Sequence, residues 1–134
     1  MGQQQLLLIV LGVIIVGIAV VVGINVFTAS SFQANQDAVV ADCTNLASMA
    51  QQHYRKPAAL GGGGNAFDNS NGGTAWAIPA QLDTTGNGFY SAVVAADAVT
   101  ITGVGTETSA DGTVNVVMVV GPNAITSTNT TPAP

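Results

Sequence analysis

His53 and Cys43 are the only histidine and the only cysteine among 134 residues, so imidazole and thiolate chemistry would each rest on a single side chain. A catalytic base must stand within hydrogen-bond reach of the group it serves, and no nucleophile or acid can be placed beside His53 from the sequence. It reads as a packing or hydrogen-bonding histidine at a helix end. Cys43 has no partner for an intramolecular disulfide and reads as a small buried hydrophobe on a helix. An intermolecular bridge or a reactive thiol is the competing reading. Asp83, Thr84, Thr85, Gly86, Asn87 and Gly88 open like a calcium loop, yet Val94 stands where a bidentate glutamate must close the coordination sphere. Asp68, Asn69, Ser70, Asn71, Gly72 and Gly73 fit no better, and turn chemistry accounts for both segments. The run Gly61, Gly62, Gly63, Gly64 lacks the following Lys-Ser or Lys-Thr and the preceding strand of a phosphate cradle. These residues predict no catalytic site, no metal and no cofactor. One modification signal stands apart: Asn129, Thr130 and Thr131 form an N-glycosylation sequon in a Thr-, Ser- and Pro-rich stretch that also suits O-linked sugar. An unmodified polar tail is the other reading of that stretch.

Charge narrows the partners. Charged residues are 7% of the chain, the net charge is −5, and Arg55 and Lys56 are the only basic side chains. Nucleic acid is excluded as a partner, because phosphate recognition requires clustered Lys and Arg. Arg55 and Lys56 read as residues that complement a helix end and pair with aspartates. With so little charge, hydroxyl and amide groups must carry the solvent face, and the exposed part is expected to pack on copies of itself, to carry sugar, or both.

The elements that would position any site divide sharply. Residues 6–27 are apolar except for Asn25. A helix of that length reaches roughly 33 Å at about 1.5 Å per residue, enough to cross a hydrocarbon layer of about 30 Å. Val and Ile are poor helix formers in water, but in lipid the backbone must bond to itself. Gly12, Gly17 and Gly23 interrupt the stretch and read either as ordinary small residues of a membrane helix or as points of local unwinding and close helix approach. No Lys or Arg precedes the span, and the first ionisable side chain is Asp37. A charged leader already removed is the expected explanation, with the α-amino group of Met1 the only positive charge at this end. A chain that begins here uncleaved is the alternative.

No proline occurs before Pro57 and no glycine between Gly23 and Gly61, so the helix is expected to run on to residue 56, about 80 Å of helix from Gln3 at about 1.5 Å per residue. Phe32, Val39, Cys43, Leu46, Ala50 and His53 fall on one face, while Gln33, Asn35, Gln36, Asp42, Thr44, Asn45, Ser48 and Gln52 lie largely elsewhere. Residues 57–73 form a Gly-rich loop. The period then turns to β, with a short strand expected over 74–80 and stronger ones over 88–95, 98–106 and 113–120. Turns are expected at Ala96-Asp97 and at Ala110-Asp111-Gly112. Val117 and Val119 add a second apolar face to the last of these strands, so cover is expected on both faces. Trp76, Phe67, Phe89 and Tyr90 read as core or subunit-contact aromatics. The organisation is thus an apolar helix over 1–27, an amphipathic continuation over 28–56, the loop over 57–73, an antiparallel head over 74–125 and a Thr/Pro-rich tail over 126–134. The fold class is α+β, a long N-terminal helix packed on a small antiparallel sheet of about four strands.

An uncharged N-terminus, a 22-residue apolar stretch, an unbroken amphipathic helix, a Gly-rich loop and a few antiparallel strands together resemble the type IV pilins. The likeness covers the whole chain in architecture and residues 1–56 in sequence pattern. It implies a homopolymer whose N-terminal helix resides in the cytoplasmic membrane before assembly and in the core of a cell-surface filament after it. It further implies a prepilin peptidase acting at Met1, methylation of the new amine, an assembly ATPase and a platform protein. Gln5 falls where most bacterial members carry a glutamate that pairs with a neighbour's amine. With Gln3 and Gln4 it offers an amide network in place of that ion pair, without the cost of burying a lone carboxylate. Leu8, Leu11 and Ile15 are the expected apolar assembly contacts. A minor pilin or pseudopilin of a secretion or DNA-uptake system, and a monomeric membrane-anchored extracytoplasmic binding domain, are the competing functions.

Overall fold

The computed structural model describes residues 2–131. A single α-helix, α1, spans Gly2–Arg55, followed by a 3-10 turn at Ala58–Leu60 and four strands, β1 (Gly88–Val94), β2 (Val99–Ser109), β3 (Gly112–Val120) and β4 (Ile125–Thr131). The fold is α+β, as expected. The strands form one antiparallel sheet in the order β1-β2-β3-β4. Contacts divide the chain into two units, Met1–Ser31 and Phe32–Pro134.

In the second unit the helical stripe Val39, Cys43, Leu46, Ala47 and Ala50 is buried against Tyr90, Val99, Ile101, Val114, Val116, Met118 and Val120 of the sheet. The sheet supplies these by strict alternation, so one face of every central strand is core. Gly103 and Gly105 let the helix come close. A Cβ on Gly103 would stand 2.8 Å from Val39 Cγ1 and 2.9 Å from Cys43 Sγ, tighter than real side chains pack.

The Gly-rich segment folds back over the end of α1. Amides of Gly63, Gly64 and Asn65 donate to the carbonyls of His53, Lys56 and Tyr54 at 2.9, 3.0 and 2.9 Å, which satisfies acceptors that a helix end leaves free. Buried Phe67 and Trp76 then close this end of the core, with the Phe67 and Tyr54 rings 4.9 Å apart. Residues 74–80 are not a strand. Their alternation is real, since Trp76 is buried and Ile78 packs on the core, but Trp76 N–H donates to the Phe67 carbonyl at 2.8 Å and so pairs with a loop.

The fourth strand is instead Ile125–Thr131, which begins at the last residue of the expected head and takes in 126–131 of the expected tail. Of the tail, residues 132–134 lie outside the described residues. The head therefore runs beyond residue 125. β4 carries little apolar signal because it is an edge strand with every residue exposed except half-buried Thr130, while its β-branched threonines suit a pleated ladder.

Between Val104 and Thr108 the register with β3 shifts, three residues of β2 standing against one of β3. Such a bulge takes backbone groups out of the ladder. Asn35 of α1 meets one of them, the Glu107 amide, and also a carbonyl of the loop before β1. Its Nδ2 donates to the Asn87 carbonyl at 2.9 Å and its Oδ1 accepts from Glu107 N–H at 3.3 Å.

Candidate assembly surface

The described residues of the first unit are helical throughout. Of its side chains between Leu6 and Phe27, seventeen large apolar ones are exposed, each by more than half. Covering one such side chain fully is worth about 1.5–3 kcal/mol, so leaving seventeen in water costs on the order of tens of kcal/mol. A domain's net stability is only about 5–15 kcal/mol. Such a surface suits lipid or apolar protein as its surroundings. The helix is long and apolar enough to cross a membrane. Thr28 does not break the apolar character, because its Oγ1 donates to the Ile24 carbonyl at 3.0 Å.

Gln3, Gln4 and Gln5 are all helical and exposed. At about 100° per residue, Gln4, Leu8, Leu11 and Ile15 fall within an arc of about 60°. At the same pitch Gly12 and Gly23 lie about 40° and 60° outside that arc, and Gly17 lies on the opposite side. The helix is continuous through all three glycines, and a Cβ added at any of them would meet nothing within 4 Å. Met1 lies outside the described residues.

In the second unit, Asp42 gathers a polar cluster. Its Oδ2 accepts from Tyr90 Oη at 2.6 Å, Asn87 Nδ2 at 2.9 Å and Thr85 Oγ1 at 3.4 Å. Burial, and after it the hydrogen bond to Asp42, raise the Tyr90 phenol above its usual range. Burial, followed by the nearby Asp42 charge, pushes the Cys43 thiol up to about 11. A thiol so placed is a poor nucleophile at neutral pH. The segment that echoes a calcium loop is a turn: Thr85 N–H donates to the Gly88 carbonyl at 2.9 Å, and Asn87 N–H to Thr85 Oγ1 at 3.1 Å. No group of three metal-ligating side chains comes together among the described residues. His53 Nε2 lies 2.6 Å from the Thr74 carbonyl, a donor contact in the Nε2–H tautomer. Arg55 reaches the Asn123 side-chain oxygen at 3.5 Å rather than an aspartate.

The helical pattern sets Asn35, Gln36 and Asp42 largely off the apolar face, and here the structure differs. Gln36 is buried, while Asn35 and Asp42 are half-buried and bonded to the sheet side. Asp42 carried a usable signal, because it follows Val39 by three residues and precedes Leu46 by four, which is core spacing.

The sheet face turned away from α1 is the remaining surface. Its rows, read across the register, are Phe89, Val104, Asn115, Thr131; then Ser91, Thr102, Val117, Asn129; then Val93, Thr100, Val119, Ser127. None is ionisable. Phe89 and Val93 are 60% and 73% exposed, whereas Trp76, Phe67 and Tyr90 are core. Comparison with family models, with characterised proteins and with solved structures gave no match to this chain.

Proposed function

We propose that this chain is a non-enzymatic structural subunit that polymerises through its N-terminal helix into an extracellular filament of the type IV pilus kind. The observation that carries the proposal is the exposed apolar surface of residues 6–27 on the same helix that seats Val39, Cys43, Leu46 and Ala50 in a folded head. Such a helix resides in the bilayer before assembly and in a bundle of identical helices after it. Lipid and bundle are comparably apolar, so transfer gains little hydrophobic free energy and depends on packing and polar contacts. Gln3, Gln4 and Gln5 supply amide partners near the N-terminus, Leu8, Leu11 and Ile15 the packing, and Gly12, Gly17 and Gly23 the places where backbones approach or the helix opens. A prepilin peptidase acting at Met1, an assembly ATPase and a platform protein belong to this reading, since the transfer needs an external source of work.

The test is to shear intact cells, image the released material by electron microscopy and weigh the chain recovered from it. Filaments composed mainly of this chain are expected. Recovery only from detergent extracts of membranes would instead make it an anchored domain. The substitution Leu11→Arg places a charge within the apolar arc, at about 2.5–3.5 kcal/mol on a membrane-insertion scale, and is expected to abolish filaments. Normal filaments carrying Arg at that position would exclude a dry helical core there.

A further inference from the structure

Both basic side chains of the chain, Arg55 and Lys56, stand exposed at one end of the head. At that end Gln51 donates to the Gly121 carbonyl and Arg55 to Asn123 Oδ1, so the turn between β3 and β4 lies beside them. Two adjoining clefts open there. One, of about 430 Å³, lies between Met49, His53 and Lys56 on one side and residues 75–77 on the other. The second, of about 220 Å³, is lined by Ser48, Gln51 and Arg55, and Gln52 borders both. Each cleft thus holds one of the two cations of a molecule whose net charge is −5.

The far end of the head is the converse. β2 stands against Val39 and Cys43 at Gly103 and against Asn35 at Gly105, so it runs away from Arg55. Asn35 and Arg55 are about 30 Å apart along α1 at about 1.5 Å per residue. The Glu107 amide still meets Asn35. Beyond it the β2–β3 hairpin continues and turns at Ala110 and Asp111, both exposed. The charges of this hairpin, Glu107 and Asp111, are acidic, as is Asp37 near Asn35.

An acidic projection and cationic clefts at opposite ends cannot meet within one head, but they can meet between copies. We infer that the β2–β3 hairpin of one copy docks into the clefts at the Arg55 end of the next, with Glu107 and Asp111 facing Lys56 and Arg55. The contact joins two different surfaces of the same molecule, and a heterologous contact that does not close on itself builds an open filament. Charge complementarity of this kind selects the partner and its register more than it adds affinity. The inference rests on the polymer proposed above: the apolar helix supplies the core, and the hairpin decides which head follows which.

The single lysine makes the test specific. Filaments sheared from cells are treated with a carbodiimide, which joins a carboxylate to an amine in contact with it with loss of water, and the digested chain is sequenced by mass spectrometry. The expected product is Lys56 joined to Asp111 or Glu107, a link that the length of the head forbids within one copy. Lys56 joined only to Asp37, Asp68 or Asp97, or left unlinked, overturns the inference while the filament stands, and needs no variant to fold. A chain never released as filaments overturns the polymer reading first and this inference with it. Reversing charge probes the same contact. Arg55→Glu with Lys56→Glu, and Glu107→Lys with Asp111→Lys, are each expected to lose filaments, and the four substitutions together to restore them. A filament yield untouched by either pair also overturns the docking.

Discussion

Asn35 ties the bulged part of β2 to the loop before β1, accepting from the Glu107 amide and donating to the Asn87 carbonyl. Replacing it by alanine takes that partner from the Glu107 amide, while the Asn87 carbonyl keeps the Thr106 N–H at 3.2 Å, and a lost hydrogen bond of this kind costs about 0.5–1.5 kcal/mol. Asn35→Ala is therefore expected to lower the urea midpoint of the head without changing the slope. An unchanged midpoint would mean that water substitutes fully for the side chain. Cys43 makes a prediction in pH. Its thiol titrates at about 11 in the fold against 9.0 for the free group, so between those values the unfolded chain has lost a proton that the native chain retains. Stability then falls as pH rises above about 9 and the decline from this group ends near 11, an effect on the order of 2 kcal/mol. Tyr90, raised for the same reason of burial, adds to the loss at still higher pH. Chemical denaturation of the wild type and of Cys43→Ala across this range checks the sign, the substitution being expected to flatten the decline.

Among the elements, β4 is held differently from its neighbours. β2 and β3 each bury one full face, while β4 buries none and relies on backbone pairing with β3. Hydrogen exchange is expected to follow this order, with the amides of β4 bonded to β3 exchanging well before those joining β2 and β3, because local opening is cheapest where least apolar surface is exposed. Equal protection across both pairs would show that β4 opens only with the whole head. The same property that makes β4 labile hid it from the sequence. Residues 74–80 alternate like a strand, yet the Thr74 and Trp76 amides donate to the Gly62 and Phe67 carbonyls of a loop. Residues 125–131 hardly alternate in polarity and form one. Alternation reports burial of side chains, whereas strand identity depends on where the backbone finds a partner.

For the molecule as a whole, the division at Ser31 separates a unit without a core from one that has its own. A chain beginning at Phe32 retains the core residues of α1, since the first of them is Gln36. It is expected to fold, to remain soluble without detergent and to show cooperative thermal unfolding, while the full chain partitions into detergent. Light scattering and circular dichroism of the two chains test this directly. An unfolded truncated chain would mean that the apolar helix contributes to the head's stability.

The apolar stretch, the helical stripe of Val39, Cys43, Leu46 and Ala50, and the α+β order of elements were legible in the amino-acid sequence, because hydropathy and its period are local properties of the chain. The turns at residues 96–97 and 110–112 were legible for the same reason. Only the tertiary structure decided that Asn35 bonds to a bulge 72 residues away, that Asp42 receives the phenol of Tyr90 from 48 residues away, and that a threonine-rich segment completes the sheet. In each case a polar group takes the partner that packing brings to it. Polar side chains carry no periodic signal for such a choice, since hydrogen bonds are satisfied by geometry across the fold and not by spacing along the chain.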